Sequence, residues 1–294
     1  MTHLSFGGTV VHGTNHPVSA IFQYTFPGLI SLDLGSLTVC DEPDWSRQSV
    51  TQFLLNNPGI QHLSLGKERP LRNIFFDLHP PSLSPGFLPH LRSFEGFPKN
   101  MVVMAGAQVK CLDQLQSLAL VSTEGEEDME AMFSAFPGRI LPSVRRLHVE
   151  LYSGELSHRM PSNVNFMSHI NWMLGFGGLC PNATEVFAKL PPVCGVSRWF
   201  FCCAVHVPYG IFIESQEMLR RLFVSFKSLE SLSIPLLSLS LNMSANQIEF
   251  FGPIAQQCPR LQFVKARKPG LQKGNIVFSF CRNDVGNLVE VSIA

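Results

Sequence analysis

Several stretches hold residue types that could do chemistry, and each lacks a partner that its chemistry requires. His148-Val149-Glu150 is the His-x-Glu half of a zinc-deaminase signature, in which the carboxylate moves protons beside the metal. The Pro-Cys-x-x-Cys half does not occur in the chain, and the segment also fits a strand. Cys180, Cys194, Cys202, Cys203 and His206 crowd one region and could in principle build a tetrahedral zinc site. Structural zinc is usually presented by close pairs such as Cys-x-x-Cys, and none is present. Buried thiols are the simpler expectation, because cysteine is among the residue types most often buried. Gly175-Phe176-Gly177-Gly178 follows a helical pattern and lacks Gly-Lys-Ser/Thr, so it predicts a helix-ending turn and no phosphate cradle. Neither a Gly-x-Ser-x-Gly elbow nor a His-Glu-x-x-His helix occurs. The acidic run Glu124-Gly125-Glu126-Glu127-Asp128 opens a helical pattern, where carboxylates favour the positive end of the helix dipole. The chain is therefore expected to have no catalytic residues, no metal site and no cofactor.

Composition points the same way. Charged residues make up 15% of the 294, against about 25% in ordinary soluble domains, while 45% are hydrophobic. Such a chain must bury much of itself or expose apolar surface to a partner. Lys+Arg and Asp+Glu both number 22, so no net field draws the chain to nucleic acid or acidic lipid. The amino terminus has no basic start followed by an apolar run, and so does not read as a signal peptide. The most apolar stretch, residues 199–213, holds His206, Pro208 and Gly210 and is shorter than the ~20 residues a spanning helix needs. Eight scattered cysteines fit reduced thiols better than a disulfide framework, which makes the cytoplasm or nucleus the expected compartment.

The elements that would position any site come from a recurring phrase, Pro-x-Leu-x-x-Leu-x-Leu, usually introduced by Phe, Leu or Cys. It occurs as Phe26-Pro27-Gly28-Leu29-Ile30-Ser31-Leu32-Asp33-Leu34 and as Asn57-Pro58-Gly59-Ile60-Gln61-His62-Leu63-Ser64-Leu65. Further copies begin at Leu88, Leu112, Leu141, Cys180, Phe226 and Cys258, the one at Cys180 being poor. Proline stops a preceding helix, and the alternating apolar positions that follow have the period of a half-buried strand. Helical patterns lie between phrases at residues 46–55, 126–136, 165–174, 215–226 and 244–257.

Strand, turn and helix in repetition predict an α/β fold, an irregular leucine-rich-repeat solenoid with a curved parallel sheet and helices on its convex side. Successive phrases stand about 24 to 46 residues apart, longer than the ~20–29 of regular repeats, so inserted loops are expected. Residues 1–294 are expected to form a single domain, with a Cys/Gly/Pro-rich insertion or distorted repeat around 175–210. At the carboxyl end, residues 275–280 and 288–293 alternate like two closing strands joined by a turn at 282–287. The start, Met1-Thr2-His3-Leu4-Ser5-Phe6, reads as the strand half of a repeat, as if the chain began inside one.

These phrases, with Phe226-Lys227-Ser228-Leu229-Glu230-Ser231-Leu232-Ser233-Ile234 the most regular, resemble the repeat region of F-box/leucine-rich-repeat proteins. Their Cys-Pro punctuation is similar to the expanded sets of mushroom-forming fungi. The resemblance implies a protein-binding scaffold, the substrate-recognition region of an SCF-type ubiquitin-ligase receptor, whose partner is a protein substrate. In that family an amino-terminal F-box docks on a Skp1-type adaptor. No Leu-Pro-x-Glu-type helix start precedes the repeats here, so adaptor binding is not expected of this chain as it stands. Two alternatives stay open: a truncated, non-catalytic F-box-less relative without a ligase role, and a zinc-binding protein using the Cys-rich insertion.

On a repeat strand, the residues alternating with the buried leucines face the concave side. They give the candidate partner-binding set Asp33, His62, Glu95, Arg146, His148, Glu185, Phe187, Phe263, Lys265 and Arg267. Phe187 and Phe263 are the least expected there, because exposed aromatics mark interaction surfaces, unless the register slips by one residue.

Overall fold

Each copy of the phrase builds the same local structure. In all eight, the amide of the fourth residue donates to the carbonyl of the first, from Leu29 to Phe26 (2.9 Å) through to Leu261 to Cys258 (3.0 Å). That turn directs the fourth side chain inward. Leu29, Ile60, Leu91, Leu115, Val144, Ala183, Leu229 and Leu261 are all buried. The chain then extends, and the seventh residue is buried in turn as Leu32, Leu63, Phe94, Leu118, Leu147, Val186, Leu232 and Val264. Burying one such side chain stabilises by roughly 1.5–3 kcal/mol, so the phrase is the framework of the core.

The structure is a computed structural model. It describes residues 1–6, 10–11, 20–35, 38–39, 43–66, 77–122, 126–151, 166–189, 221, 223–238, 247–267 and 275–293. The architecture is mixed α/β, and the chain divides into two compact units, Met1–Val144 and Arg145–Ala294.

The first unit contains strands β1 (His3–Ser5), β2 (Val10–Val11), β3 (Ser31–Asp33), β4 (Thr38–Val39), β5 (His62–Ser64), β6 (Ser93–Gly96) and β7 (Ser117–Ser122). Helices α1 (Pro43–Asn56), α2 (Pro98–Gly106) and α3 (Glu126–Ala135) lie between them. β1, β3, β5, β6 and β7 pair in that order, all parallel, and β2 pairs separately with β4. α3 opens on the predicted acidic run. α2 was not expected; it starts with Pro98 at the first helical position, where a missing amide costs nothing.

In the second unit the strands are β8 (Arg146–Leu151), β9 (Glu185–Lys189), β10 (Ser231–Ser238), β11 (Phe263–Arg267), β12 (Asn275–Arg282) and β13 (Leu288–Ile293). Its helices are α4 (Phe166–Leu179) and α5 (Gln247–Gln257), with residues 221 and 223–225 also helical. β8 to β11 are parallel, whereas β12 and β13 close the unit antiparallel, as the alternation at the carboxyl end predicts. The closing turn holds Gly286 at φ +84, and the Asn283 side chain accepts the amides of Val285 and Asn287.

Neighbouring strands are joined by a recurring bracket. One carbonyl just before a parallel strand receives two consecutive amides from the next copy, as Ile30 from Gln61 and His62, Gln61 from Arg92 and Ser93, Thr184 from Glu230 and Ser231, and Glu230 from Gln262 and Phe263. This fixes register, and register decides which side chains share a face.

The structure corrects one expectation. Gly175-Phe176-Gly177-Gly178 is not a helix-ending turn; it lies inside α4, which runs on to Leu179. The absence of a side chain at Gly177 permits close packing, because a Cβ there would stand 2.8 Å from the carbonyl oxygen of Ser225. Gly177→Ala is expected to destabilise the second unit by about 1–3 kcal/mol through overpacking, seen as a lower melting temperature in calorimetry. The rest of the Cys-rich stretch, including Cys194, Cys202, Cys203 and His206, lies outside the described residues, as does most of the helical pattern at 215–226. Among the described residues, no helix is long and apolar enough to cross a membrane.

Candidate binding face

Alternation along the strands places one set of side chains in the core and the other on the opposite face of each sheet. In the first unit, one cross-strand row reads His3, Ser31, His62, Ser93, Ser117, and the next Ser5, Asp33, Ser64, Glu95, Ala119. His62 is exposed, while Asp33 and Glu95 are half-buried. The Asp33 carboxylate accepts the Gly35 amide at 3.0 Å and the Ser5 hydroxyl at 3.4 Å, so its first task is local. Ser64 shares their row but is buried, and among the described residues its Oγ has no hydrogen-bond partner.

The second unit gathers more of the candidate set. Its rows are Arg146, Glu185, Ser231, Phe263 and His148, Phe187, Ser233, Lys265. Arg146, Glu185 and Lys265 are exposed, and Phe263 keeps 45% of its surface open to water. Arg267 ends β11, and its side chain is outside the described residues. Phe187 is half-buried on the predicted face, its ring centroid 4.3 Å from that of His148. A one-residue slip would have put Val186 and Val264 outside instead, and both are buried.

His148 and Glu150 stand two apart on β8 and so share a face, with Nε2 3.0 Å from the Glu150 carboxylate. His148 therefore meets a carboxylate on one side and, at a tilt of 51°, the Phe187 ring on the other. Among the described residues, no three His, Cys, Asp or Glu side chains gather closely enough to hold a metal ion.

The described cysteines divide by environment. Burial pushes the Cys180 thiol up to about 12, and the Cys111 and Cys258 thiols to the same level, with Arg139 and Arg282 respectively pulling back less. Nucleophilic sulfur is thiolate, so these three are inert at neutral pH. A brief iodoacetamide pulse at pH 8, read by peptide mass spectrometry, is expected to leave them unmodified in the folded chain, while exposed Cys281 is alkylated. Their folded pKa values lie above the ordinary thiol value of 9.0, so the stability they contribute is complete below about 9 and is lost as pH rises towards 12. Alkaline titration is therefore expected to show a melting temperature that falls above pH 9.

The arrangement offers charged and aromatic surface on strands whose register is fixed by backbone bonds. No protein-family model matches the chain, and no curated protein is significantly similar to it.

Proposed function

We propose that this chain is a leucine-rich-repeat-type scaffold that binds another protein across the open face of its strands. We propose further that it serves as the substrate-recognition region of an SCF-type ubiquitin-ligase receptor. The observation that carries the first statement is the second unit's face, where exposed Phe263 stands in register with Ser231 beside exposed Arg146, Glu185 and Lys265. An exposed apolar ring with charges of both signs around it is the composition of recognition surfaces, where aromatic anchors supply affinity and charges supply orientation. The eightfold turn and the brackets support the repeat assignment, since stacked repeats of this kind hold such a face rigid. The ligase assignment rests on the resemblance of the repeat phrases alone.

The test is a tagged pull-down of the full chain from native extract, compared with a Phe263→Ser/Lys265→Glu variant whose folding is checked by circular dichroism. Proteins retained by the wild type and lost from the variant are the expected result; identical retention by both would sink the face as the binding site. Recovery of a Skp1-type adaptor with a cullin would support the ligase role, and recovery of face-dependent partners without them would leave a bare scaffold.

A further inference from the structure

The second unit has a surface that its recognition face does not use, the outer side of β13. This strand ends the order β8 to β13, and among the described residues nothing pairs with its outer side. A strand edge presents a row of unpaired amides and carbonyls, which proteins blunt with lysine, proline, a bulge or a covering segment. Residues 288–293 contain no lysine and no proline. The register with β12 slips beside Val289 and is regular from Glu290 onward. Val289 keeps 50% of its surface open to water, Glu290 and Ser292 are exposed, and Val291 is half-buried.

The sequence of β13 is close to a palindrome of residue types. Outward from Val291 stand polar Glu290 and Ser292, then β-branched Val289 and Ile293. Val291 lies opposite buried Phe280, whose ring meets Phe251 of α5 edge-on at 5.2 Å, so it is on the core side of the sheet. Glu290 and Ser292 lie opposite Cys281 and Ser279, on the other side. A sequence of this kind can pair antiparallel with itself.

The register of such a pair is decided by Glu290. A two-fold axis normal to the sheet keeps the faces of both copies aligned, and it must then pass beside a residue, since neighbouring residues point to opposite faces. An axis at Glu290 would set two carboxylates directly opposite each other, which is destabilising. An axis at Ser292 would carry Val289 past the end of the other β13. An axis at Val291 sets valine against valine beside the last buried ring of the core, and each carboxylate against a Ser292 hydroxyl.

We infer that two copies of this chain associate through β13, paired antiparallel about a two-fold axis at Val291. The regular ladder is short, so the association is reversible, with a dissociation constant of about 10–100 μM.

The experiment is sedimentation velocity of the full chain from about 1 to 200 μM, a range that brackets that affinity. The expected result is a mass that rises from 32.7 kDa towards twice that value. Ser292 is exposed on the side away from the core, so substitutions there leave the fold intact, which circular dichroism checks. Ser292→Lys sets an ammonium against Glu290 of the other copy, and the symmetry doubles the gain, so the dimer is expected to tighten about fivefold. Ser292→Glu sets like charges opposite each other and is expected to weaken it by about the same factor. Adding Glu290→Lys to Ser292→Glu is expected to restore the dimer. A constant mass up to about 200 μM would overturn the inference, because an edge pair of this size assembles below that concentration. Association that ignores both Ser292 substitutions, or that both weaken, would overturn it too, since the contact or its register would lie elsewhere. Growth beyond the doubled mass has the same meaning, because a two-fold contact closes on itself.

Discussion

Asn57→Leu is expected to lower the unfolding free energy of the 1–144 unit by about 3–5 kcal/mol, a large share of the 5–15 kcal/mol that holds typical domains folded. Asn57 is buried at the end of α1, and its side chain makes three bonds to backbone. Oδ1 accepts the Phe26 amide at 2.6 Å, and Nδ2 donates to the carbonyls of Phe53 at 2.8 Å and Tyr24 at 3.4 Å. One of these reaches Phe26, the first residue of the preceding copy of the phrase, and another Tyr24 just before it, so Asn57 ties one repeat to the last. Leucine keeps the branched shape and leaves buried backbone groups unsatisfied, which is costlier than losing a neutral bond in water. Cys258 holds the same place in its own phrase and reaches back to Phe223 O at 3.0 Å through a weak thiol donor. Cys258→Ala should therefore cost markedly less, about 1 kcal/mol. Calorimetry combined with hydrogen exchange, read over 1–144 for Asn57→Leu and over 145–294 for Cys258→Ala, would compare the two. Equal effects from both substitutions would mean that the three amide bonds of Asn57 contribute no more than the single thiol contact of Cys258.

The second large effect is at Phe94. Its ring is fully buried on β6, and a Cβ on Gly96 would meet Phe94 Cζ at 2.8 Å. Phe94→Ala is expected to destabilise the unit by about 3–5 kcal/mol through lost burial and the cavity it leaves. The glycine is the other half of this arrangement, because the ring lies where the ninth phrase position elsewhere carries a leucine, as at Leu65 and Leu120. Gly96→Ala should cost about 1–3 kcal/mol in the native background and much less beside Phe94→Leu, which removes the far edge of the ring. A double-mutant cycle by urea denaturation measures that coupling. Additive costs would show that the ring does not rest against Gly96.

Much of the strand framework was legible because the phrase encodes position by position. Proline halts the helix, the fourth residue turns in, and the seventh and ninth alternate with polar neighbours, so β3, β5, β8 and β11 fall where the leucine spacing puts them. The closing pair β12 and β13 was legible for a similar reason, two alternating runs around Asn283 and Gly286. What escaped was set by distant contacts. α2 is short, with apolar residues packed too densely for a visible period and Pro98 at its head, so nothing marked it as helical. Gly177 looked like punctuation, and only the approach of Ser225 explains a glycine within a helix. Ser64 sits on a row that alternation assigns to solvent and is buried regardless. At the candidate face, the places of Phe187 and Phe263 followed from strand period. The diagonal of rings around two serines did not, because cross-strand neighbours 32 to 46 residues apart are chosen by register, which a single strand does not display.

Among the described residues of each unit, the paired amides that bracket one carbonyl join successive copies of the phrase, as from Ile30 to Gln61 and His62. The segments between brackets vary in length from about 24 to 46 residues, while the brackets keep the same geometry. Loop closure becomes costlier only with the logarithm of length, so this variation is thermodynamically cheap. The fold is thus tolerant to growth and loss in its connecting segments and intolerant at the few atoms that fix each rung. In the genealogy of such a chain, lengths can drift and whole repeats can be duplicated or deleted without disturbing the rungs on either side. A pulling force applied at the two ends of one unit would strip rungs one after another, each yielding a length set by its own loop.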